Sequence, residues 1–263
     1  MALITMSYRS DLLKRNIVFR AYLPVDRPTE EGLAYKKEGT EKFRTLYLLH
    51  GLTNNQDDWI NSSRIERIAR NHNLAVIFPN GENSFYVNGL GPNSDFGRLI
   101  GQELVDFTRK VFPLSDKRED TFIGGVSMGG FGAIRNGLKY ADTFGTVIAF
   151  SAALILESVQ NRTSDGPAAN DGYMKAMFGD LQHLVGSDLD PLHLAEVRKA
   201  SGKPMPKLYL SCGEQDGLLD ANIRFKDGLT RLGVDYTFRT TPGGHDWDFW
   251  EQEIRHVILD WME

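Results

Sequence analysis

Residues 121–140 read TFIGGVSMGGFGAIRNGLKY: an apolar run of strand length, Thr121 to Val126, then a serine set between glycines, then a helical segment from Gly130 to Tyr140. A strand that turns directly into a helix needs residues without side chains at the corner, so that the two backbones can approach. Gly125-Val126-Ser127-Met128-Gly129 supplies them. It matches G-x-S-x-G, the turn that strains a serine and projects its Oγ above a sheet. The competing reading is a glycine-rich turn that only packs tightly.

The chain on either side repeats the same unit. Thr45 to Leu49, Leu74 to Phe78 and Thr146 to Phe150 are further apolar runs with little alternation, which places them in a sheet covered on both faces. Between them, Ser94 to Phe112 carries Ile100, Leu104, Phe107 and Val111 at helical spacing, and Pro113 ends it. Ser63-Arg64-Ile65-Glu66 has the spacing of a capping box at the start of a shorter helix. Strands alternating with helices predict βαβ units and a mostly parallel sheet. Asn16 to Leu23 before Pro24 reads as a strand toward one edge, and Asp26 to Lys42 as a polar connector. Lys207 to Ser211 and Tyr236 to Arg239 add two strands around a helix from Ala221 to Leu232, and a last helix runs from about Trp247 to Trp261. Ile155 to Pro206, with a short helix from Gly172 to Phe178, is a cap-like insertion where one crossover helix would suffice.

With 263 residues, 41% hydrophobic and 25% charged, the chain fits a single α/β domain with a substantial core. Its 30 Lys and Arg against 35 Asp and Glu give a net charge of −5, with no basic run, so no nucleic-acid partner is expected. The lone Cys212 forms no internal disulfide, the N-terminus shows no leader pattern, and no apolar stretch reaches bilayer length. A cytoplasmic protein that engages no membrane is expected; a homo-oligomer is left open.

A serine hydroxyl needs a base to take its proton, and the order of this fold places an acid and then a histidine after the nucleophile. Of six histidines, His245 alone lies in a loop between the last strand and the last helix, in Gly243-Gly244-His245-Asp246-Trp247. Its other reading is a turn histidine capping the following helix. The loop after the Lys207 strand, Cys212-Gly213-Glu214-Gln215-Asp216-Gly217, offers Asp216 as the acid, with Glu214 second and Asp220 third. Ser127, Asp216 and His245 thus fall in the chain order of the α/β-hydrolase fold. The amide of Met128 supplies one oxyanion donor, and the amide of Leu52, in His50-Gly51-Leu52-Thr53-Asn54, the second.

These segments resemble the esterase D-like branch of the α/β hydrolases, which includes tributyrin esterases, S-formylglutathione hydrolases, feruloyl esterases and mycolyltransferases. The resemblance rests on LLHGLTNNQDDW (48–59), SFYVN (84–88), GGVSMGGFGA (124–133), CGEQDGLLD (212–220) and GGHDWDFW (243–250). It is greatest to bacterial tributyrin esterases, which implies hydrolysis of short-chain acyl esters, the triad Ser127, Asp216 and His245, and oxyanion amides at Leu52 and Met128. S-formylglutathione hydrolases typically show Ser-Gly-Leu-Thr-Cys and Tyr-Asp-His where this chain has His50-Gly51-Leu52-Thr53-Asn54 and Gly244-His245-Asp246. Feruloyl esterases share the Gly-Gly-His-Asp pattern, which keeps a carbohydrate ester among the candidate substrates.

Neither a nucleotide-binding glycine loop nor an H-E-x-x-H pair occurs, so no cofactor and no metal are expected, only a small-molecule ester substrate. Trp59, Phe85, Tyr86, Met174, Met177 and Phe178 are candidates for the substrate pocket, against the plainer reading of core packing. A non-catalytic binding protein on this fold would lose a triad member, and a serine-directed organophosphonate would leave Ser127 unlabelled.

Overall fold

The computed structural model describes residues 1–25, 42–161 and 171–258. The expected connector lies outside the described residues apart from Lys42, as do residues 162–170 of the expected insertion and residues 259–261 of the expected last helix. Eight strands form one sheet: β1 (Ala2–Arg9), β2 (Asn16–Leu23), β3 (Arg44–Leu49), β4 (Leu74–Pro79), β5 (Thr121–Val126), β6 (Thr146–Phe150), β7 (Lys207–Gly213) and β8 (Thr237–Thr241). Their order is β1-β2-β4-β3-β5-β6-β7-β8. β2 pairs antiparallel with β1 and β4, and every pairing from β4 to β8 is parallel. This is the α/β-hydrolase fold, with the Ser127 turn at the carboxyl end of a central strand.

Successive side chains of a strand point to opposite faces, and here both faces are covered. Tyr47, Leu49, Ile123, Val147 and Ala149 pack on one side with Leu104, Phe131, Ile134 and Leu229. Leu46, Leu48, Phe122, Ile148 and Phe150 pack on the other with Trp59, Ile65, Phe249 and Ile254. Continuous apolar runs follow directly from that double burial.

Helices α1 (Asp58–Ser62) and α2 (Ile65–Asn71) lead into β4, and α3 (Phe96–Arg98), a π turn (Leu99–Glu103) and α4 (Leu104–Val111) run on before β5. Then come α5 (Met128–Lys139), α6 (Leu156–Gln160), α7 (Asp171–Phe178), α8 (Pro191–Ala200), α9 (Leu219–Leu232) and α10 (Trp247–His256). In the insertion, α8 packs on α5 and α9 as an ordinary crossover would. α7 is the excursion, docked where Tyr173 Oη donates to Asn83 O and Leu90 N donates to Ala176 O at 3.0 Å.

β2 lies toward one edge of the sheet as expected, second in order, and the edge itself is taken by β1, which the sequence reading did not include. Two expectations are corrected. In the helix before β5, interrupted by the π turn, Ile100, Leu104 and Thr108 are buried, Phe107 is half-buried, and Val111, the last residue of α4, is 45% exposed rather than core-facing. The capping box does not form: Ser63 Oγ donates to Trp59 O and accepts from Ile65 N, and Glu66 pairs with Arg70 instead.

Candidate active site

The β5–α5 turn is built around the two motif glycines. A Cβ at Gly125 would stand 2.6 Å from the carbonyl of Gly129, and one at Gly129 would stand 2.5 Å from Leu49 O. No larger residue fits either place. Between them Ser127 adopts φ 55° and ψ −118°, a conformation that strains any residue with a side chain. Its main chain is fixed on both sides, with Ser127 N donating to Phe150 O at 3.0 Å and Ala153 N donating to Ser127 O at 2.9 Å. Ser127 is half-buried, and its Oγ makes no hydrogen bond among the described residues.

The β3–α1 loop passes beside it, since a Cβ at Gly51 would lie 3.7 Å from Ser127 Cβ. The amides of Leu52 and Met128 donate to no backbone carbonyl among the described residues. Several side chains hold this loop from below. Tyr86 Oη donates to His50 O at 3.0 Å, Trp59 Nε1 to Leu49 O at 3.0 Å, and Thr53 N donates to Asn83 Oδ1 at 2.8 Å. His50 Nε2 accepts from Gly81 N at 2.9 Å, so its proton sits on Nδ1, 2.8 Å from Gly51 O. Burial lowers the His50 pKa and keeps the ring neutral, which makes it a structural strut for the turn. At the start of α1, burial pushes the Asp58 carboxyl up to about 6, and its Oδ2 has no hydrogen-bond partner among the described residues.

At the ends of β7 and β8 the chains again nearly touch: a Cβ at Gly213 would meet Gly243 O at 2.2 Å. Asp216 is buried in the following turn. Its Oδ1 accepts from Leu218 N at 2.8 Å, and its Oδ2 lies 2.9 Å from His245 Nδ1. Burial raises the Asp216 pKa, but hydrogen bonds from His245, Ser151 and the Leu218 amide outweigh it and hold the carboxyl below its ordinary range. Glu214 and Asp220, the other two candidates, are exposed. His245 does not cap α10; the Asp246 side chain does, accepting from Phe249 N at 3.0 Å. The structure therefore pairs Asp216 with His245 directly and sets Ser127 two strands away, on β5, along the same carboxyl edge.

Trp59 and Tyr86 are fully buried, with their polar atoms spent on the β3–α1 loop. Phe85, Phe131 and Phe178 form one aromatic cluster, with Phe178 centred 5.0 Å from Phe85 and 6.3 Å from Phe131. Met174 is buried beside them, while Met177 borders a separate cavity of about 520 Å³ with Lys14, Arg15 and Asn83. Ser151 and Trp250 were not anticipated at the site. The Trp250 ring stands perpendicular to the His245 ring with centroids 4.9 Å apart, and its Nε1 donates to Ser151 Oγ at 3.0 Å. The GGHDWDFW segment carried a signal for Trp250; Ser151 gave none beyond ending an apolar run.

Among the described residues no cluster of three His, Cys, Asp or Glu could hold a metal, and no helix is long and apolar enough to cross a membrane. The arrangement offers instead a strained serine, a carboxylate-bound imidazole and two free amides.

Residues 10–260 match the family described as "Putative esterase". An acetyl esterase of Caldicellulosiruptor saccharolyticus is 41% identical over 100% of this chain and 98% of its own length. The substrate-bound structure of the fluorophosphonate-binding serine hydrolase F of Staphylococcus aureus is similar with a TM-score of 0.86 and 34% identity, covering 99% of this chain and 98% of that one. An S-formylglutathione hydrolase of the same organism follows with a TM-score of 0.84 and 32% identity over 99% and 98% of the two chains. The strained serine turn on this sheet and these full-length likenesses lead to one conclusion: the chain belongs to this esterase family and is a carboxylic ester hydrolase acting on small-molecule esters.

Proposed function

We propose that residues 1–263 form one catalytic domain that hydrolyses short-chain acyl esters, with Ser127 as nucleophile, His245 as base, Asp216 as its partner, and the Leu52 and Met128 amides as oxyanion donors. The 2.9 Å contact between His245 Nδ1 and Asp216 Oδ2 carries this reading. A carboxylate only accepts, so Nδ1 holds the proton and Nε2 is the nitrogen free to act as base. Nε2 takes the Ser127 Oγ proton as Oγ attacks the ester carbonyl. The carbonyl oxygen gathers negative charge, and each donor aimed at it lowers the barrier by roughly 3 to 4 kcal/mol. Collapse expels the alcohol, which leaves with the proton returned from His245. Water then enters by the same route, releasing the acid and restoring the hydroxyl.

Short acyl chains are favoured by two observations. Phe85, Phe131 and Phe178 fill the space one turn along α5 from Ser127, and a relative of near-full overlap is an acetyl esterase. A second reading, a thioester-cleaving S-formylglutathione hydrolase, is favoured by the neighbour of that name. One experiment tests both: kcat/KM for p-nitrophenyl acetate, butyrate and octanoate beside S-formylglutathione and a methyl ferulate. The expected maximum lies between acetyl and butyryl. A formylglutathione value far above all esters establishes the second reading, and an octanoate optimum overturns the short-chain one.

A further inference from the structure

Asp216 is held from more sides than a base-orienting carboxylate requires. Ser151 directly follows β6, is fully buried, and sits at φ 48°, a conformation that glycine would adopt with less strain. Its amide donates to Ser211 O on β7 at 2.7 Å, and its hydroxyl faces the Asp216 carboxyl and the Cys212 thiol, lowering the pKa of both. The Trp250 indole donates to that same Oγ. An indole N–H is only a donor, so Ser151 Oγ accepts from Trp250 and its own proton is free for the carboxylate. The Trp250 ring meanwhile stands perpendicular to the His245 ring, at an interplanar angle of 88°. Four side chains close a circuit: His245 to Asp216, Asp216 to Ser151, Ser151 to Trp250, and Trp250 back to His245.

We propose that Ser151 and Trp250 are positioning residues of the hydrolytic site, the indole aiming the Ser151 hydroxyl at Asp216 while its ring, perpendicular to that of His245, fixes the imidazole plane. The inference rests on the reading of Ser127, His245 and Asp216 as a triad. A serine kept only to fill space would be replaced without loss by glycine, which tolerates this backbone. The hydroxyl instead holds one of the few hydrogen bonds that keep a buried carboxylate charged. The titratable groups facing Asp216 are His245, from the β8–α10 loop, and Cys212, from β7. Burial pushes the Cys212 thiol up to about 12, so it stays neutral and offers the carboxylate no compensating charge. Loss of the Ser151 hydroxyl therefore makes Asp216 easier to protonate.

The test compares Ser151→Ala, Trp250→Phe and the double variant, with kcat and KM for p-nitrophenyl acetate measured from pH 3 to 9 and thermal midpoints alongside. Ser151→Ala is expected to lower kcat about 10- to 100-fold with KM little changed, and to move the acid limb of kcat/KM that follows Asp216 protonation to higher pH. Trp250→Phe keeps an aromatic ring and should lose less. Because the indole acts through the hydroxyl, the double variant should fall no further than Ser151→Ala. Unchanged kcat in both single variants, an unmoved acid limb, or losses that multiply would each overturn the proposal. If Ser151→Ala melts early because it orphans the indole N–H, Trp250→Phe and the double variant, which leave no orphaned donor, read the same coupling in folded protein. A fluorophosphonate adduct on Ser127 in every variant separates the two readings. An adduct elsewhere in the wild type removes the triad and this proposal with it; labelling at Ser127 with unperturbed kinetics removes this proposal alone.

Discussion

His245 Nδ1 stands 2.9 Å from Asp216 Oδ2, although 29 residues separate them in the chain. Parallel pairing of β7 with β8, which sets Gly213 beside Thr241, produces the approach. Each strand then needs only a short loop to deliver its side chain, and glycines at 213 and 243 let those loops cross at contact distance. The carboxylate is buried and the imidazole is 38% exposed, so a buried support holds a ring that reaches the surface.

Ser127→Ala is expected to remove essentially all esterase activity, on the order of a millionfold in kcat, while the protein still folds. Ser127→Gly should be equally inactive yet melt at a higher temperature than Ser127→Ala, since only glycine relieves a backbone at φ 55°. Activity within about tenfold of wild type in either variant would sink the proposed mechanism.

Asp216→Asn should lower kcat roughly ten-thousandfold by losing the carboxylate that sets the His245 tautomer, with Glu214→Gln near neutral. The Asp216 pKa is depressed in the folded state, so its stabilising contribution is present above the unfolded carboxylate value of about 4 and lost as pH falls through the folded value. Thermal midpoints of wild type and Asp216→Asn should therefore differ at pH 7 and converge in acid. A gap that widened with acidification would contradict the assignment.

Most of this architecture was legible because double burial writes itself into sequence as unbroken apolar runs, and β3 to β7 all carry them. The serine turn was legible for a steric reason, two glycines with no room for a Cβ. β1 alternates strictly in ALITMSYR, half-buried at Ala2, Ile4, Met6 and Tyr8 and exposed at Leu3, Thr5, Ser7 and Arg9, but the exposed Leu3 blurs that period at its start. The π turn could not be read at all, since it leaves composition and the spacing of Ile100 and Leu104 untouched, and Val111 shares the face of Leu104 by spacing but ends α4, where 45% of it is exposed. Ser151 escaped because its role comes from a backbone conformation and from partners on three other elements, none of them near in sequence.

Asp58 supplies a pH prediction of opposite sign to Asp216. Burial lifts its carboxyl to about 6, a hydrogen bond from Asn54 offsets this only in part, and Oδ2 is left unpartnered among the described residues. A folded-state pKa above the unfolded value means that the charged form costs stability, a cost absent below about pH 4 and complete above about 6. Asp58→Asn should raise the thermal midpoint at pH 8 and leave it unchanged near pH 4. A variant less stable than wild type at pH 8 would show that the carboxylate has a partner it needs.

Acyl-chain length supplies the last prediction, and it turns on Phe178. Its ring packs against both Phe85 and Phe131, which also touch each other, and Phe131 sits one turn along α5 from Ser127. Phe178→Ala opens that space, at a stability cost of about 3 to 5 kcal/mol that a thermal melt will register. Each methylene accommodated by a fitting pocket contributes up to about 0.8 kcal/mol, whereas forcing one into a filled pocket costs typically 1 to 3 kcal/mol. The wild-type kcat/KM should climb from acetyl to butyryl and fall beyond, and in Phe178→Ala the optimum should move toward hexanoyl or octanoyl. Met177→Ala should shift it less, because Met177 borders the cavity with Lys14 and Arg15 rather than the aromatic cluster. An optimum unmoved by Phe178→Ala would show that the acyl chain leaves Ser127 in another direction, and a larger shift in Met177→Ala would place the chain in the neighbouring cavity.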